Sequence, residues 1–389
     1  MSQNYRKTLI ASYIGYIVQA LVINLPPLLF VIFSESFALD VGKISLLISI
    51  NFITQLCTDI IAAKYIGKIG FRRGAILAHV FASIGLILLG ILPFIMPSFF
   101  GICISIILMA IGGGLTEVII SPIVQSLPLK NKAAHMSLLH SFFCWGFVIT
   151  VLLTTAFFAV FGTQNWRYLV MLWAIIPFIN VFLYKSAPLM VQNESEQVGT
   201  DKNMYKHPVF LLMLVFMLCG GASEIAMSQW ASYFAETGLS VSKTVGDLLG
   251  PCSFAILMGA ARLLFAKNEK RININTAIIL SSALCIFSYA LTALAPLPFL
   301  SLIGCTVCGL SVGIMWPGVL SLCAKTFPKG AGRMFALLAL AGDIGCTLGP
   351  FILGYISDLT GTLKTGLLFV IIFPAIMFIG GILNKKYRR

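Results

Sequence analysis

Four carboxylates and one arginine lie inside long apolar stretches of this sequence. A charged side chain within a membrane costs about 2.5–3.5 kcal/mol on insertion scales, so each of these groups needs a partner, a proton or water. One guanidinium cannot neutralise four carboxylates. We therefore expect some of the acids to be protonated for part of the time or to line a wet cavity, the chemistry that proton coupling uses. The alternative is that each acid only bonds a neighbouring helix. The five residues are Asp59, Glu117, Glu224, Asp343 and Arg262.

The stretch around Glu117 has the most polar face. The three glycines at 112–114 precede it and permit close contact between helices. Ser121 and Gln125 follow at four-residue spacing, so they share the face of Glu117. His140 begins the next apolar stretch at a similar depth, and a Glu–His pair can share a proton between about pH 6 and 8. The alternative for His140 is a histidine packed in the core.

Glu224 lies in a comparable setting in the second half of the chain. It follows Gly220 and Gly221, which favour a local break in the helix, and Ser228 shares its face. Trp230 comes within two turns. An acid beside aromatic faces is a common way to bind a sugar or a cation. The alternative is that the aromatic residues here form a belt at the membrane interface.

Asp343 and Trp316 are two further candidates in the second half. Asp343 is about ten residues into its stretch, which places it near the middle of a membrane. Trp316 precedes a proline flanked by glycines, which is typical of a bendable helix, at the position that corresponds to Glu117 in the first half. We expect Glu117, His140, Glu224 and Asp343 to take part in proton coupling.

Polar side chains also mark the first two apolar stretches. Asn51, Gln55 and Asp59 recur at four-residue spacing and form a polar stripe on one helix face. Asp59 and Arg262 occupy equivalent positions in the two halves, each five residues before a lysine, which suggests a gate or a structural ion pair. We assign Asp59 and Arg262 to gating. The predicted substrate-binding residues are Gln19, Asn24, Asn51, Gln55, Trp145, Ser228, Trp230 and Trp316.

Composition fixes the class of protein. Of the 389 residues, 59% are hydrophobic and 10% charged, against about 25% charged in a soluble domain. The apolar residues form twelve runs long enough to cross a hydrocarbon core of about 30 Å. The first run is too long for a signal peptide, so we read it as a retained helix. The predicted runs are 8–33, 44–66, 74–96, 99–127, 136–161, 167–185, 207–235, 247–266, 275–295, 298–325, 333–357 and 364–384.

The basic residues predict the orientation of these helices. With both termini on one side, nearly all of the 26 Lys and Arg residues collect there; the exceptions are Lys43, Arg167, Lys243 and Lys364, with Arg262 inside a run. Short loops rich in Lys and Arg remain in the cytoplasm. We therefore expect a multi-pass protein of the cytoplasmic membrane with both termini in the cytoplasm. This distribution also explains the net charge of +13 without nucleic acid.

The two halves of the chain repeat each other. FSESFALDVGKISLL, which begins at residue 33, matches FAETGLSVSKTVGDLL, which begins at residue 234, and SLPLKNKAAHMSLL at 126 matches TFPKGAGRMFALL at 326. Parallel repeats of six helices place a substrate site between the halves at the middle of the membrane. The predicted organisation is an N-terminal six-helix bundle over 1–186, a cytoplasmic linker over 187–206 and a C-terminal bundle over 207–389.

Several motifs resemble those of the major facilitator superfamily. KYIGKIGFRRG resembles the basic loop between its second and third helices, although Gly67 stands where an Asp is usual. GGGLTEVIISPIV and SLLHSFFCWG are similar to helices four and five of the fucose-type sugar–proton symporters. In that group a carboxylate at the Glu117 position is important for transport, and His140 matches a polar position that lines the sugar site. The acid that those symporters carry in helix one is missing here, and Gln19 and Asn24 are its candidate replacements.

The resemblance implies a secondary transporter for a small polar solute, with a sugar favoured, working by alternating access. We expect a monomer with protons as the coupling partner, and another ion is the alternative. Efflux of lipophilic compounds is an alternative, as is a membrane protein that is not a transporter, such as a sensor or a scramblase. We expect no enzyme activity, no cofactor and no metal. The four histidines lack metal-ligand spacing, the cysteines lie within apolar runs, and no G-x-x-x-x-G-K-[ST] loop for ATP is present.

The predicted topology can be checked with single cysteines placed in otherwise cysteine-free protein. A membrane-impermeant maleimide added outside intact cells should leave the loop 64–73, the linker 186–206 and both termini unlabelled, because all of them should face the cytoplasm. Labelling of the linker from outside would contradict the twelve-helix arrangement.

Overall fold

The computed structural model describes residues 3–129, 132–189, 206–268, 271–327 and 331–387, nearly all of them helical. Twelve spans in these residues are long and apolar enough to cross a membrane, and the predicted all-α membrane architecture is confirmed. Most of the predicted linker 187–206 lies outside the described residues. The spans are α1 (Tyr5–Phe37), α2 (Val41–Ile69), α3 (Phe71–Leu89), α4 (Ser98–Ser126), α5 (Leu138–Phe161), α6 (Thr163–Ser186), α7 (Pro208–Gly238), α8 (Lys243–Asn268), α9 (Ile274–Leu294), α10 (Pro298–Thr326), α11 (Met334–Thr360) and α12 (Leu363–Asn384).

Several spans contain irregular turns. In α1 the prolines at 26 and 27 lie in a 3₁₀ turn, because a proline has no N–H to donate to the preceding turn. The end of α7 and the start of α8 each contain a π-helical turn. The segments are Gln3–Asn24, Pro26–Leu29 and Phe30–Phe37 in α1; Lys132–Phe161 around α5; Thr163–Asn165, Trp166–Trp173 and Ile175–Ser186 in α6; Pro208–Tyr233 and Phe234–Gly238 in α7; Lys243–Asp247, Leu248–Cys252 and Ser253–Asn268 in α8; Ala331–Thr360 around α11; Leu363–Val370 and Ile372–Tyr387 around α12; and the short helix Leu92–Ile95 before α4.

Side chains at the helix ends satisfy backbone groups that have no partner within the helix. Asp40 caps α2 by accepting a hydrogen bond from the backbone N–H of Lys43 at 2.7 Å. Gly70 joins α2 to α3 with a φ of +84°, a conformation that favours glycine. Arg72, from the basic loop recognised in the sequence, donates to the carbonyl oxygens of Tyr184 and Lys185 at 3.0 and 2.7 Å. The basic loop therefore closes the carboxyl end of α6.

The chain divides by packing into two compact units, which are described separately here. Unit 1, Met1–Asn193, contains α1–α6, and unit 2, Glu194–Arg389, contains α7–α12. In unit 1, α4 packs against α1, α2 and α3. In unit 2, α10 packs against α7, α8 and α9, and α7 packs along α11. The fourth helix of each unit is thus the one that contacts its first three, as expected for a duplicated fold.

Glycines bring α7 and α11 together in unit 2. The helix Pro208–Tyr233 runs unbroken through Gly220 and Gly221, so the predicted local break there is wrong. A Cβ on Gly221 would meet the carbonyl oxygen of Gly342, and a Cβ on Gly349 would meet that of Ala222. The small residues let the two backbones approach closely, which is a common basis of helix packing in membranes. The α7 glycine at 221 therefore serves contact rather than bending.

Alanine substitutions at two adjacent glycines distinguish the effect of a lost helix–helix contact from the effect of a changed helix propensity. We expect Gly221→Ala to lower the stability of the purified protein by about 1–3 kcal/mol, because the new methyl group collides with backbone atoms that cannot move aside. Gly220→Ala is the matched control, since its Cβ would lie 3.4 Å from the nearest atom, the Cβ of Met315. Unfolding titrations in mixed micelles measure both variants. Equal stability of the two would contradict the close approach of α7 and α11.

Candidate functional site

Glu117 on α4 is held by two amide side chains from different helices. Its Oε2 accepts a hydrogen bond at 2.8 Å from Nε2 of Gln19 on α1 and another at 2.8 Å from Nε2 of Gln55 on α2. Gln19 and Gln55 are buried, and Glu117 is half-buried. Among the described residues no lysine, arginine or histidine forms an ion pair with this carboxylate. The acid that the sequence places at the centre of the site thus has neutral partners.

The three glycines that precede Glu117 allow α4 to contact three helices in succession. A Cβ on Gly112 would lie 2.7 Å from the carbonyl oxygen of Ala78 on α3. One on Gly113 would lie 3.3 Å from Val22 on α1, and one on Gly114 would lie 2.7 Å from Oδ1 of Asp59 on α2. Consecutive helical residues point in directions about 100° apart, so each glycine serves a different neighbour. This packing fixes the height of Glu117 relative to the amides.

The amides leave two hydrogen-bond acceptors in the site. A carboxylate only accepts hydrogen bonds, so each amide turns its nitrogen toward Glu117 and its oxygen away. The Oε1 atoms of Gln19 and Gln55 are buried and have no hydrogen-bond partner among the described residues. A buried acceptor without a partner costs about 1–3 kcal/mol, so a ligand that donates to these oxygens regains that energy.

The other predicted residues of unit 1 lie around this centre. His140 is exposed and stands edge-on to the ring of Tyr16, with 5.3 Å between the ring centres. Asn24 is buried and donates to the carbonyl oxygen of Ala20 at 2.8 Å, which ties it to its own helix. Asn51 is buried on α2, one turn before Gln55. Trp145 is 43% exposed on α5.

Asp59 on α2 is half-buried and borders α4 at Gly114. It lies one turn beyond Gln55, so the stripe predicted on α2 leads from the Glu117 amide toward the end of the helix. Its gating role stays a prediction.

In unit 2, Glu224 on α7 forms an ion pair with Arg262 on α8. Nη2 of Arg262 lies 2.9 and 3.0 Å from the two carboxylate oxygens. The Glu224 side chain is 8% exposed and that of Arg262 is 25% exposed. The sequence assigned these two residues to different tasks, coupling and gating, and the structure brings them together. The arginine within an apolar run therefore neutralises Glu224 of its own unit.

The remaining candidates of unit 2 have different surroundings. Trp230 is fully buried, and its Nε1 donates to the carbonyl oxygen of Pro350 at 3.0 Å, so it packs α7 against α11 in this conformation. Ser228 is buried and donates to the carbonyl oxygen of Ile225 in its own helix. Trp316 is half-buried and lies over Gly342 of α11. Asp343, which follows Gly342 on α11, is half-buried.

A buried charge cluster in unit 2 was missed by the sequence reasoning. Nζ of Lys243 lies 3.0 Å from Glu236 and 3.2 Å from Asp247, and Ser232 also donates to Asp247. Asp247 is fully buried. The cluster joins the π-helical turn at the end of α7 to the α-helical segment Lys243–Asp247 at the start of α8. These residues fall in the repeated segment that begins at residue 234, where the sequence reading placed Lys243 in a loop; the spacing of Lys243 and Asp247 by four residues was the available signal.

The segment 309–313 reads G-L-S-V-G and matches the pattern of a hydrolase nucleophile elbow, which needs a strand-to-helix turn. Here it lies in the middle of α10. Ser311 is buried and donates to the carbonyl oxygen of Cys308, and the two glycines pack against α8. The segment therefore serves helix packing.

Comparison with known proteins identifies the family to which the chain is similar. The family model described as Major Facilitator Superfamily matches residues 12–350 of the chain. No curated protein sequence matches the chain.

Solved transporter structures resemble the whole chain. A bacterial homologue of the human lysosomal transporter Spinster, in an inward-facing and occupied conformation, is 12% identical with a TM-score of 0.81, over 99% of this chain and 98% of that one. A D-xylose–proton symporter is 12% identical with a TM-score of 0.79, over 98% and 97%. The fucose:proton symporter of E. coli is 15% identical with a TM-score of 0.66, over 98% and 99%. At these identities the likeness concerns the fold.

The ion pair in unit 2 should behave as a buried pair whose partners depend on each other. Glu224→Gln or Arg262→Gln should each destabilise the protein by about 3 kcal/mol or more, because the other charge loses its counterion in a low dielectric. The double variant should recover much of that loss. Lys43→Gln is the matched control, since it removes the exposed Lys43–Asp40 pair and leaves the Asp40 cap intact; it should cost about 0–1 kcal/mol. Additive losses in the double variant, measured by unfolding titration, would contradict the pairing.

Proposed function

Because the chain belongs to the Major Facilitator Superfamily, a family of membrane transporters, we propose that it is a secondary active transporter that couples a small polar solute to protons through Glu117. It would work by alternating access as a monomer in the cytoplasmic membrane, with both termini in the cytoplasm. The orientation rests on the basic loops of the sequence. A sugar or a similar polyhydroxyl compound is the proposed substrate class.

The observation that carries the proposal is the environment of Glu117. Its two amide hydrogen bonds are contacts to a charged group, each contributing about 1.5–3 kcal/mol. An ionised carboxylate inside a membrane costs about 2.5–3.5 kcal/mol on insertion scales. Together the two bonds contribute about 3–6 kcal/mol, enough to offset that cost, so the carboxylate can be charged here without a cation. A carboxylate in that balance can bind and release a proton when a solute enters or leaves.

Glu224 is less suited to this role. Its pairing with Arg262 ties its ionised form to a fixed cation, and a proton would have to displace that cation. We propose that the pair holds α7 to α8 during the cycle. Asp343 remains a second candidate for coupling, with the ring of Trp316 against the preceding residue, Gly342.

The hydrogen-bonding groups at the site support this substrate class. Gln19 and Gln55 offer two buried acceptor oxygens beside Glu117, and hydroxyl groups are the natural donors to such oxygens. The names of two structural neighbours support a sugar, since one moves D-xylose and another fucose together with protons. Both compounds carry several hydroxyl groups. A solute without donors would leave the two acceptors unpaired, at the energetic cost noted above.

Replacing Glu117 tests the coupling. In proteoliposomes with an inward pH gradient of one unit, a carrier that moves one proton per solute can concentrate radiolabelled fucose or D-xylose about tenfold, since that gradient stores about 1.4 kcal/mol. Glu117→Gln keeps the shape of the side chain but cannot release a proton. We expect this variant to bring the solute only to about equal concentrations inside and outside the proteoliposomes. It should still exchange labelled for unlabelled solute.

Glu35→Gln is the matched control, because Glu35 is an exposed carboxylate of the same unit, in α1. It should concentrate solute like the unaltered protein. If Glu117→Gln still accumulates solute under the gradient, the coupling role passes to Asp343. If neither sugar moves but a lipophilic dye is expelled, the sugar assignment is wrong and the efflux alternative gains support.

A further inference from the structure

A series of polar contacts in unit 1 leads away from Glu117 along α1. Tyr13, Tyr16 and Gln19 follow one another at three-residue spacing and so lie along one side of this helix. Each makes a hydrogen bond to a different residue of a neighbouring helix. Gln19 donates to Glu117, the Tyr16 hydroxyl shares a hydrogen bond of 2.7 Å with Ser121, and the Tyr13 hydroxyl shares one of 2.9 Å with His135. The three contacts form a ladder.

The rungs of this ladder are ordered toward one membrane surface. They descend toward the side of unit 1 where α1 begins, α4 ends and the helix around α5 begins. Three helical residues rise about 4.5 Å, so the ladder covers roughly 9 Å between Gln19 and Tyr13. On α4, Ser121 follows Glu117 by one turn on the same face. His135 is the rung nearest that surface.

The middle of the ladder is enclosed except at His140. Tyr16 is 5% exposed, and its ring stands edge-on to that of His140, with 5.3 Å between centres and 84° between planes. His140 itself is exposed. Around these groups lies an apolar cluster that includes Ile120 and Leu139. Polar groups are costly in such surroundings, and a chain of them needs a reason.

Packing alone explains single contacts between helices, but it does not explain their composition. Each side chain on the surface side of Gln19 has an exchangeable proton and a lone pair: Tyr16, Ser121, His140, Tyr13 and His135. The series ends at the carboxylate to which we assign proton exchange. We propose that Ser121, Tyr16 and the exposed His140, with a water molecule between Tyr16 and His140, form a proton path between Glu117 and the aqueous phase on the side where α1 begins, an inference that rests on the coupling role proposed for Glu117.

Each group in the path returns to its original protonation state after a proton has passed. A hydroxyl accepts a proton on a lone pair and releases its own O–H proton to the next acceptor, and an imidazole accepts at one ring nitrogen and releases from the other. The turn between Glu117 and Ser121 rises roughly 6 Å, a gap that one water molecule bridges. Tyr13 holds His135 in place by its hydrogen bond and by stacking on Phe142 at 4.7 Å.

Other titratable groups also face the path. Asp59 on α2 borders α4 at Gly114, near Glu117. Tyr184 on α6 is fully buried beside α1, and its hydroxyl donates to Ser12 at 3.4 Å. Arg6 and Lys7 are exposed at the start of α1, where the path would open. Tyr184 is thus a buried tyrosine of the same unit whose hydroxyl bonds to a residue outside the path, which makes it a suitable control.

The path can be tested without any substrate. Infrared difference spectroscopy of the full protein in lipid nanodiscs follows the carboxylic-acid band of Glu117 after a rapid pH jump, and the band is assigned by its loss in Glu117→Gln. We expect Tyr16→Phe, which keeps the ring against His140, and Ser121→Ala to slow the band change by about tenfold or more. Tyr184→Phe should leave its rate unchanged. His140→Ala should be slow, and added imidazole should restore its rate.

The outcomes separate the two proposals. If the Glu117 band appears and its rate is the same in Tyr16→Phe, Ser121→Ala and His140→Ala, the path is overturned and the coupling role of Glu117 stands. If the unaltered protein has no band that depends on Glu117, the coupling role fails and the path fails with it. Slow transfer in His140→Ala that imidazole does not restore removes His140 from the path, because a bulk defect in packing would explain the loss.

Discussion

A carboxylate that is placed within a membrane must be neutralised by a proton or a cation, or stabilised by hydrogen-bond donors, and this protein uses different solutions in its two units. In unit 1, Glu117 accepts hydrogen bonds from two amide N–H groups and forms no ion pair among the described residues. In unit 2, Glu224 receives the guanidinium of Arg262. We propose that this difference separates the two acids in function. A carboxylate with amide donors stays able to exchange a proton, whereas one bound to a fixed cation stabilises the contact between two helices.

The contrast depends on how closely the helices approach each other. Gln19 and Gln55 reach the same oxygen of Glu117 because α4 contacts α1 and α2 through glycines rather than through larger side chains. In unit 2, α7 and α11 approach each other in the same way at Gly221 and Gly349. Small residues thus set the distances between helices, and at these distances polar side chains can form hydrogen bonds from one helix to another. A wider separation of α4 and α2 by one methyl group would break the contact between Gln55 and Glu117.

The sequence predicted the membrane spans well because hydrophobic runs of the right length have few other interpretations. It also selected Glu117, Gln19 and Gln55, since a polar residue in such a run is conspicuous. It could not say which of them touch, because spacing along one helix gives a shared face but not the neighbour that the face meets. The Glu224–Arg262 pair was divided between two roles for that reason. The cluster at Lys243 was missed because a lysine near the end of a run reads as part of a loop.

The run of glycines on α4 has a consequence for how the binding specificity of such a protein can change over generations. Each of the positions 112–114 is committed to a different neighbouring helix, so a mutation at any of them disturbs an interface before it alters recognition. At these positions the helix that carries the acid therefore has little freedom to vary. The amides belong to α1 and α2, where an exchange of one polar side chain for another leaves these backbone contacts in place. Under the solute-binding role that we propose for these amides, evolution toward a new solute is directed to the two helices that present the hydrogen-bonding groups, while the position of α4 stays fixed.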